Sequence, residues 1–160
     1  MHQHGSRFCS MRSKQKKTFL KSKQRKQNSK KRKGDITMQK IHTEKAPAAV
    51  GPYSQAVVVN GLVYTSGQIA LDPATGELVG KTIEEQAEQV MKNLTAILAA
   101  AGSKPENAVK TLCFLTNIND FAAFNAVYSR YFTEKPARSC VGIQALPKGA
   151  ICEVEVIATV

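Results

Sequence analysis

The adjacent pair Asn60-Gly61 constrains the fold of this chain more than any other two residues. Both residue types take up the left-handed backbone that a two-residue primed turn requires, and β-rich runs flank them, Gln55 to Val59 and Leu62 to Thr65. The expectation is an antiparallel hairpin. Strand side chains alternate between faces, so Val57, Val58, Val59, Leu62 and Val63 put apolar groups on both sides of it. A sheet built on this hairpin needs cover on both faces.

Downstream, Thr82-Ile83-Glu84-Glu85 is a capping box that opens a helix. Its buried stripe runs through Ile83, Ala87, Val90, Leu94, Ile97, Leu98 and Ala101, and Gly102 stops it. Ala108 to Ile118 reads as a third strand. Asn119 or Asp120 then caps a second helix whose aromatic stripe, Phe121, Phe124, Tyr128 and Tyr131, reads as core. Lys135 to Val160 reads as two more strands joined through Leu146-Pro147-Lys148-Gly149. The order is ββαβαββ, an α+β domain with both helices on one face of one sheet. Two helices leave the second face bare, and its apolar residues call for self-association.

The charge is not evenly spread. Residues 1–37 hold thirteen Lys and Arg against one acid, Asp35, while residues 38–160 hold ten against eleven. A basic arm of low hydrophobicity thus precedes a nearly neutral domain, and its composition predicts disorder. The arm lacks the apolar stretch of a secretory signal, and no segment reaches membrane-spanning length. Met38 is the expected start of the working domain, with organelle targeting the second reading and a nucleic-acid arm or membrane-surface anchor behind it. Cys9, Cys113, Cys140 and Cys152 show no CxxC spacing and read as reduced thiols in a cytoplasmic protein. All three histidines lie at or before His42, which removes His-based triads and most zinc sites. There is no P-loop and no dinucleotide-binding glycine motif.

What sets the last stretch apart is charge placed inside its strands, which on an arbitrary strand would read as solvated charges on an exposed sheet face. Arg138 and Cys140 share one strand face. In the last strand Glu153, Glu155 and Ile157 point one way, and Cys152, Val154 and Val156 the other. An odd pairing sum across a hairpin here would bring Arg138, Cys140, Glu153 and Glu155 onto one face, but the register is open. Pro136-Ala137 stiffens the approach to Arg138. A guanidinium grips a carboxylate with two parallel hydrogen bonds, and a carboxylate can activate water without a histidine.

PARSC, followed by an acidic-alternating last strand, resembles the Rid (RidA/YjgF) deaminases. So do APAAVGPYSQAVVVNGLVYTSGQIALDPATGELV and NAVKTLCFLTNINDFAAFNAVYSRYF, and the likeness covers nearly all of residues 40–160. The resemblance implies a chorismate-mutase-like fold and a homotrimer with three pockets between subunits. It implies hydrolysis of reactive enamines and imines, such as 2-aminoacrylate and its imine tautomer, to 2-keto acids and ammonia, with no cofactor or metal. By motif, Arg138 would hold the substrate carboxylate, Cys140 would line the pocket and Glu153 would activate water. Tyr53 of GPYSQ and Ser66-Gly67 of TSGQ would form the opposite wall. Some relatives have been described as ribonucleases or translation inhibitors, and the basic arm is the one segment here suited to RNA. A third reading is a non-catalytic trimer that senses keto acids through Arg138. Truncation to Met38 should leave deamination and oligomeric state unchanged. A large loss of either, by enzyme assay and light scattering, would make the arm part of the fold.

Overall fold

The strand that ends the chain lies inside the sheet. The structure, a computed structural model, describes residues 37–160. Six strands, β1 (Gln39–Ile41), β2 (Ala56–Val59), β3 (Leu62–Thr65), β4 (Ala108–Leu115), β5 (Ala137–Gly142) and β6 (Cys152–Thr159), form one sheet. Their order is β1-β2-β3-β6-β4-β5. Helices α1 (Ile83–Ala100) and α2 (Phe121–Tyr131) link β3 to β4 and β4 to β5. All pairs are antiparallel except β4 with β5. The α+β sheet with two packed helices is as expected, with the short edge strand β1 added ahead of the hairpin. The basic arm lies almost wholly outside the described residues. Among those described, no helix is long and apolar enough to cross a membrane.

The Asn60-Gly61 turn forms as the sequence demands, with φ of 52° and 78° at its two residues. It pairs Val59 with Leu62 and sets the β2–β3 register. The capping box also forms. Thr82 Oγ1 accepts from the Glu85 N–H, and Glu85 Oε2 accepts from the Thr82 and Lys81 N–H groups. Those backbone donors, Lys81 foremost, hold the Glu85 carboxyl below the usual carboxylate range. The second helix differs from expectation. Asp120 precedes it without a side-chain cap, and Asn117 instead caps a short 3-10 turn over Ile118–Asp120.

The last two strands do not pair with each other. β4 lies between β5 and β6, so the segment through Pro147-Lys148-Gly149 is a crossing connection and not a hairpin turn. The physical reason is β6's alternation. Cys152, Val154, Val156 and Ala158 are buried against the helices, and a strand with one wholly apolar face is best placed between two partners. These residues join Val90, Leu94, Ile97 and Phe124 in one core.

Among the described residues, the opposite face of the sheet carries no helix. Leu112 and Phe114 of β4, Ile157 of β6 and Tyr64 of β3 lie there, half-buried or exposed, with Glu153 and Glu155 among them. Thr82→Ala removes one partner of the capping box and should cost about 1 kcal/mol, read as a lower urea midpoint with unchanged slope. Glu85 has a depressed folded pKa, so its contribution is present above the unfolded value. It is lost as pH falls through the depressed one, and the Thr82→Ala penalty should shrink there.

Candidate functional site

β3 and β6 pair only as far as Tyr64 and Ile157. There the Thr65 side chain intervenes, its Oγ1 accepting from the Val156 N–H at 2.9 Å. The strands meet again at Gln68 and Val154, which exchange two backbone hydrogen bonds of 2.9 and 3.1 Å. Between these points Ser66 and Gly67 bow away from the sheet, and Glu153 projects into the opening. The fit is close. A Cβ built on Gly67 would overlap Glu153 Oε1 and lie 2.6 Å from Cδ, so any side chain here would push the carboxylate out of its present place.

The same opening is walled by the loop before β2. Gln55, almost fully buried, clips this loop: Oε1 accepts from the Thr43 N–H, and Nε2 donates to the carbonyls of Thr43, Ala46 and Pro47. Ser66 Oγ donates to Ser54 O at 2.7 Å and ties the bowed segment to the same loop. The result is a cavity of about 320 Å³ in which Tyr53, Ser66, Gly67 and Glu153 meet, with Val50 and Pro147 as apolar wall. Burial, and secondarily the neighbouring Glu155 charge, raise the Glu153 carboxyl above its ordinary range. Such a carboxyl is a better proton acceptor than one in water.

Arg138 is elsewhere. It pairs with Thr111 of β4, which pairs in turn with Val156, a core-facing residue. Glu153 pairs with Phe114 on the other face. Arg138 and Glu153 therefore lie on opposite faces of the sheet, two strands apart, and the same-face arrangement that a terminal hairpin allowed does not occur. On its own face Arg138 is held by α2. Its Nη1 donates to Asn125 Oδ1 at 2.7 Å, and its guanidinium carbon lies 4.6 Å from the Tyr128 ring centroid and 5.4 Å from that of Phe121. Tyr128 is itself fixed by a 2.7 Å hydrogen bond with Thr111. This cradle opens onto a second cavity of about 450 Å³, lined by Asn125, Tyr128, Ser129, Lys135 and Arg138.

Cys140 shares Arg138's face but lines neither cavity, and sits in register with Cys113. Burial raises its thiol, and pushes Cys113 and Cys152 up to about 12. All three are free and largely protonated at neutral pH, which suits packing better than attack. No group of three or more His, Cys, Asp or Glu is placed to hold a metal among the described residues.

Sequence reasoning assigned Tyr53, Ser66, Gly67 and Glu153 to one site, and they share one cavity. It missed the α2 cradle. The signal was present, since Phe121, Asn125 and Tyr128 recur at helical spacing and an amide inside an aromatic stripe is out of place in a core.

A family model described as Endoribonuclease L-PSP matches residues 43–160. A RutC family protein of Synechocystis is 52% identical over 126 residues, spanning 77% of this chain and 97% of that protein. A human protein named 2-iminobutanoate/2-iminopropanoate deaminase is 49% identical over 119 residues, 74% of this chain and 87% of its own. The crystal structure of E. coli TdcF with bound serine is similar, with a TM-score of 0.73 at 41% identity over 76% of this chain and 98% of that one.

Gly67→Ala tests the contact with Glu153. It should cost roughly 1–3 kcal/mol by overpacking. Combined with Glu153→Ala, most of that cost should vanish in a denaturation double-mutant cycle. Additive losses would mean that the two residues do not touch.

Proposed function

The chain belongs to the Rid family, which the endoribonuclease L-PSP model and the RutC name also denote, and from that footing we propose that it hydrolyses reactive 2-imino acids to 2-keto acids and ammonia. The observation that carries the reading is the Glu153 carboxyl, raised by burial and roofed by Gly67 in a small cavity. The relative named as an imine deaminase and the relative with bound serine support a small amino-acid-like ligand.

The chemistry needs few groups. Arg138 takes the substrate carboxylate through the guanidinium N–H groups not engaged by Asn125. Glu153 accepts a proton as water adds to the imine carbon. The proton returns to nitrogen to give the carbinolamine, whose hydroxyl proton Glu153 then carries to nitrogen as the C–N bond breaks, so ammonia leaves and a carbonyl remains. An enamine enters the same path after protonation at its β-carbon.

One copy of the chain cannot present both groups to one molecule. Arg138 and Glu153 are two strands apart, about 10 Å laterally, and face opposite ways. The site is completed when the edge strand β5 of one copy meets the open sheet face of another. That contact joins two different patches, so it is head-to-tail and not two-fold, and it makes a closed ring where the rotation between copies closes. The family resemblance gives the ring three members. The same contact covers Leu112, Phe114, Tyr64 and Ile157.

The family's ribonuclease name points to a different chemistry, commonly served by histidines, and no histidine follows His42. Incubation with RNA in the same preparations separates the readings.

Arg138→Ala should lower kcat/KM by about 30-fold to several thousandfold, the cost of about 2–5 kcal/mol for removing one partner of a desolvated pair. Arg138→Lys should recover only part of it. Glu153→Gln should lower kcat by roughly a hundredfold while 2-ketobutyrate still binds by calorimetry. Since Glu153 works deprotonated and its pKa is raised, kcat should climb with pH through a value above the ordinary carboxylate range. Glu153→Gln should flatten that limb. The stability sign is opposite. A raised folded pKa favours the fold below the unfolded value and loses that benefit as pH rises through the folded one, so Glu153→Gln should be the more stable protein at neutral pH. Near wild-type deamination by Arg138→Ala would reject the site.

A further inference from the structure

The cavity beside Arg138 holds a second cation. Lys135 lines it together with Asn125, Tyr128, Ser129 and Arg138, and among the described residues neither Asp nor Glu lines it. Lys135 has no carboxylate within ion-pairing distance among the described residues, where the ion pairs formed are those of Glu88 with Lys92 and Arg130. The cavity thus presents two positive charges uncompensated from within.

The backbone at Lys135 is unusual as well. Its φ is 53°, in the left-handed region, and its N–H donates to the Phe132 carbonyl at 3.2 Å in the turn that follows α2. A residue with a β-carbon is disfavoured there, and glycine or asparagine would fit at lower cost. The turn sets the base of Lys135 three residues before Arg138, at the rim of the same cavity.

The two cations differ in how they are held. Arg138 is fixed by Asn125 and by the Tyr128 and Phe121 rings, which suits it to one carboxylate in a defined orientation. Lys135 is exposed, a point charge on a four-carbon stem, which suits it to an anion of less defined position. A three-carbon imino acid uses only the first. We infer that the site favours dicarboxylic 2-imino acids of four or five carbons, with Arg138 on the carboxylate next to the imine and Lys135 on the distal one. The inference rests on the proposed deamination for the role of Arg138 and adds the substrate class. Lys135 determines specificity and takes no part in bond making.

Calorimetry on the full chain with the keto-acid products tests it without relying on turnover. At low salt, 2-ketoglutarate should bind about fivefold tighter than 2-ketobutyrate, the worth of one largely exposed ion pair. Lys135→Gln, which removes the charge on a somewhat shorter unbranched side chain and keeps the same backbone demand, should erase that preference while lowering 2-ketobutyrate affinity far less. Lys135→Arg should retain the preference, and added salt should weaken it. Imines generated in situ from aspartate and alanine should show the same ranking in kcat/KM. Binding of 2-ketobutyrate without any preference for the dicarboxylate would overturn the inference and leave the proposed function standing. So would a preference that survives Lys135→Gln. If neither keto acid binds, the Arg138 site fails and the inference fails with it.

Discussion

The alternation of β6 is the constraint on which the rest depends. Cys152, Val154, Val156 and Ala158 make one wholly apolar face that must lie under the helices, and this forces the last strand between β3 and β4. The other face is then committed to Glu153, Glu155 and Ile157 on the side away from α1 and α2. A carboxylate that would be solvated on an edge strand is instead half-buried in the middle of a sheet. The Ser66-Gly67 segment that follows β3 bows outward to make room, and Gly67 closes over it. Burial of the strand for stability and elevation of the Glu153 pKa thus have one cause.

The two halves of the candidate site are built differently. The Glu153 half rests on backbone: the bowed Thr65–Gln68 segment and a loop clipped by four hydrogen bonds to Gln55. The Arg138 half rests on side chains of one helix, with Asn125 fixing the guanidinium and Tyr128 and Phe121 packing on its face. Each half is organised before any ligand arrives, which lowers the ordering cost of binding. Their separation on opposite faces, under the proposed reading, gives the uncovered apolar face a part in completing the site.

Local signals were legible in the sequence. Asn60-Gly61 gave its turn, Thr82 and Glu85 their reciprocal cap, and the period-two pattern of β6 its buried and open faces. What failed was non-local. Pro147-Lys148-Gly149 has the composition of a hairpin turn, with Lys148 itself at φ 56°, yet nothing local tells whether the strands it joins are neighbours. The interposition of β4 depends on competition among all strands for central positions, so the relative faces of Arg138 and Glu153 were hidden. The short β1 was missed because three residues carry too little pattern. The membership of Tyr53, Ser66, Gly67 and Glu153 in one site came from family motifs, and the α2 cradle was overlooked because aromatic spacing also serves a core.

The central claim is that a working site draws Arg138 from one copy and Glu153 from another. Mixing Arg138→Ala with Glu153→Gln chains, each nearly inactive alone, tests it most directly. After co-refolding, a ring containing both chains has a pocket where Arg138 of the Glu153→Gln chain meets Glu153 of the Arg138→Ala chain. Deamination should therefore return, well above either variant alone and proportional to the mixed population. If the mixed rings form and stay inactive, both residues act within one chain and the shared site is contradicted.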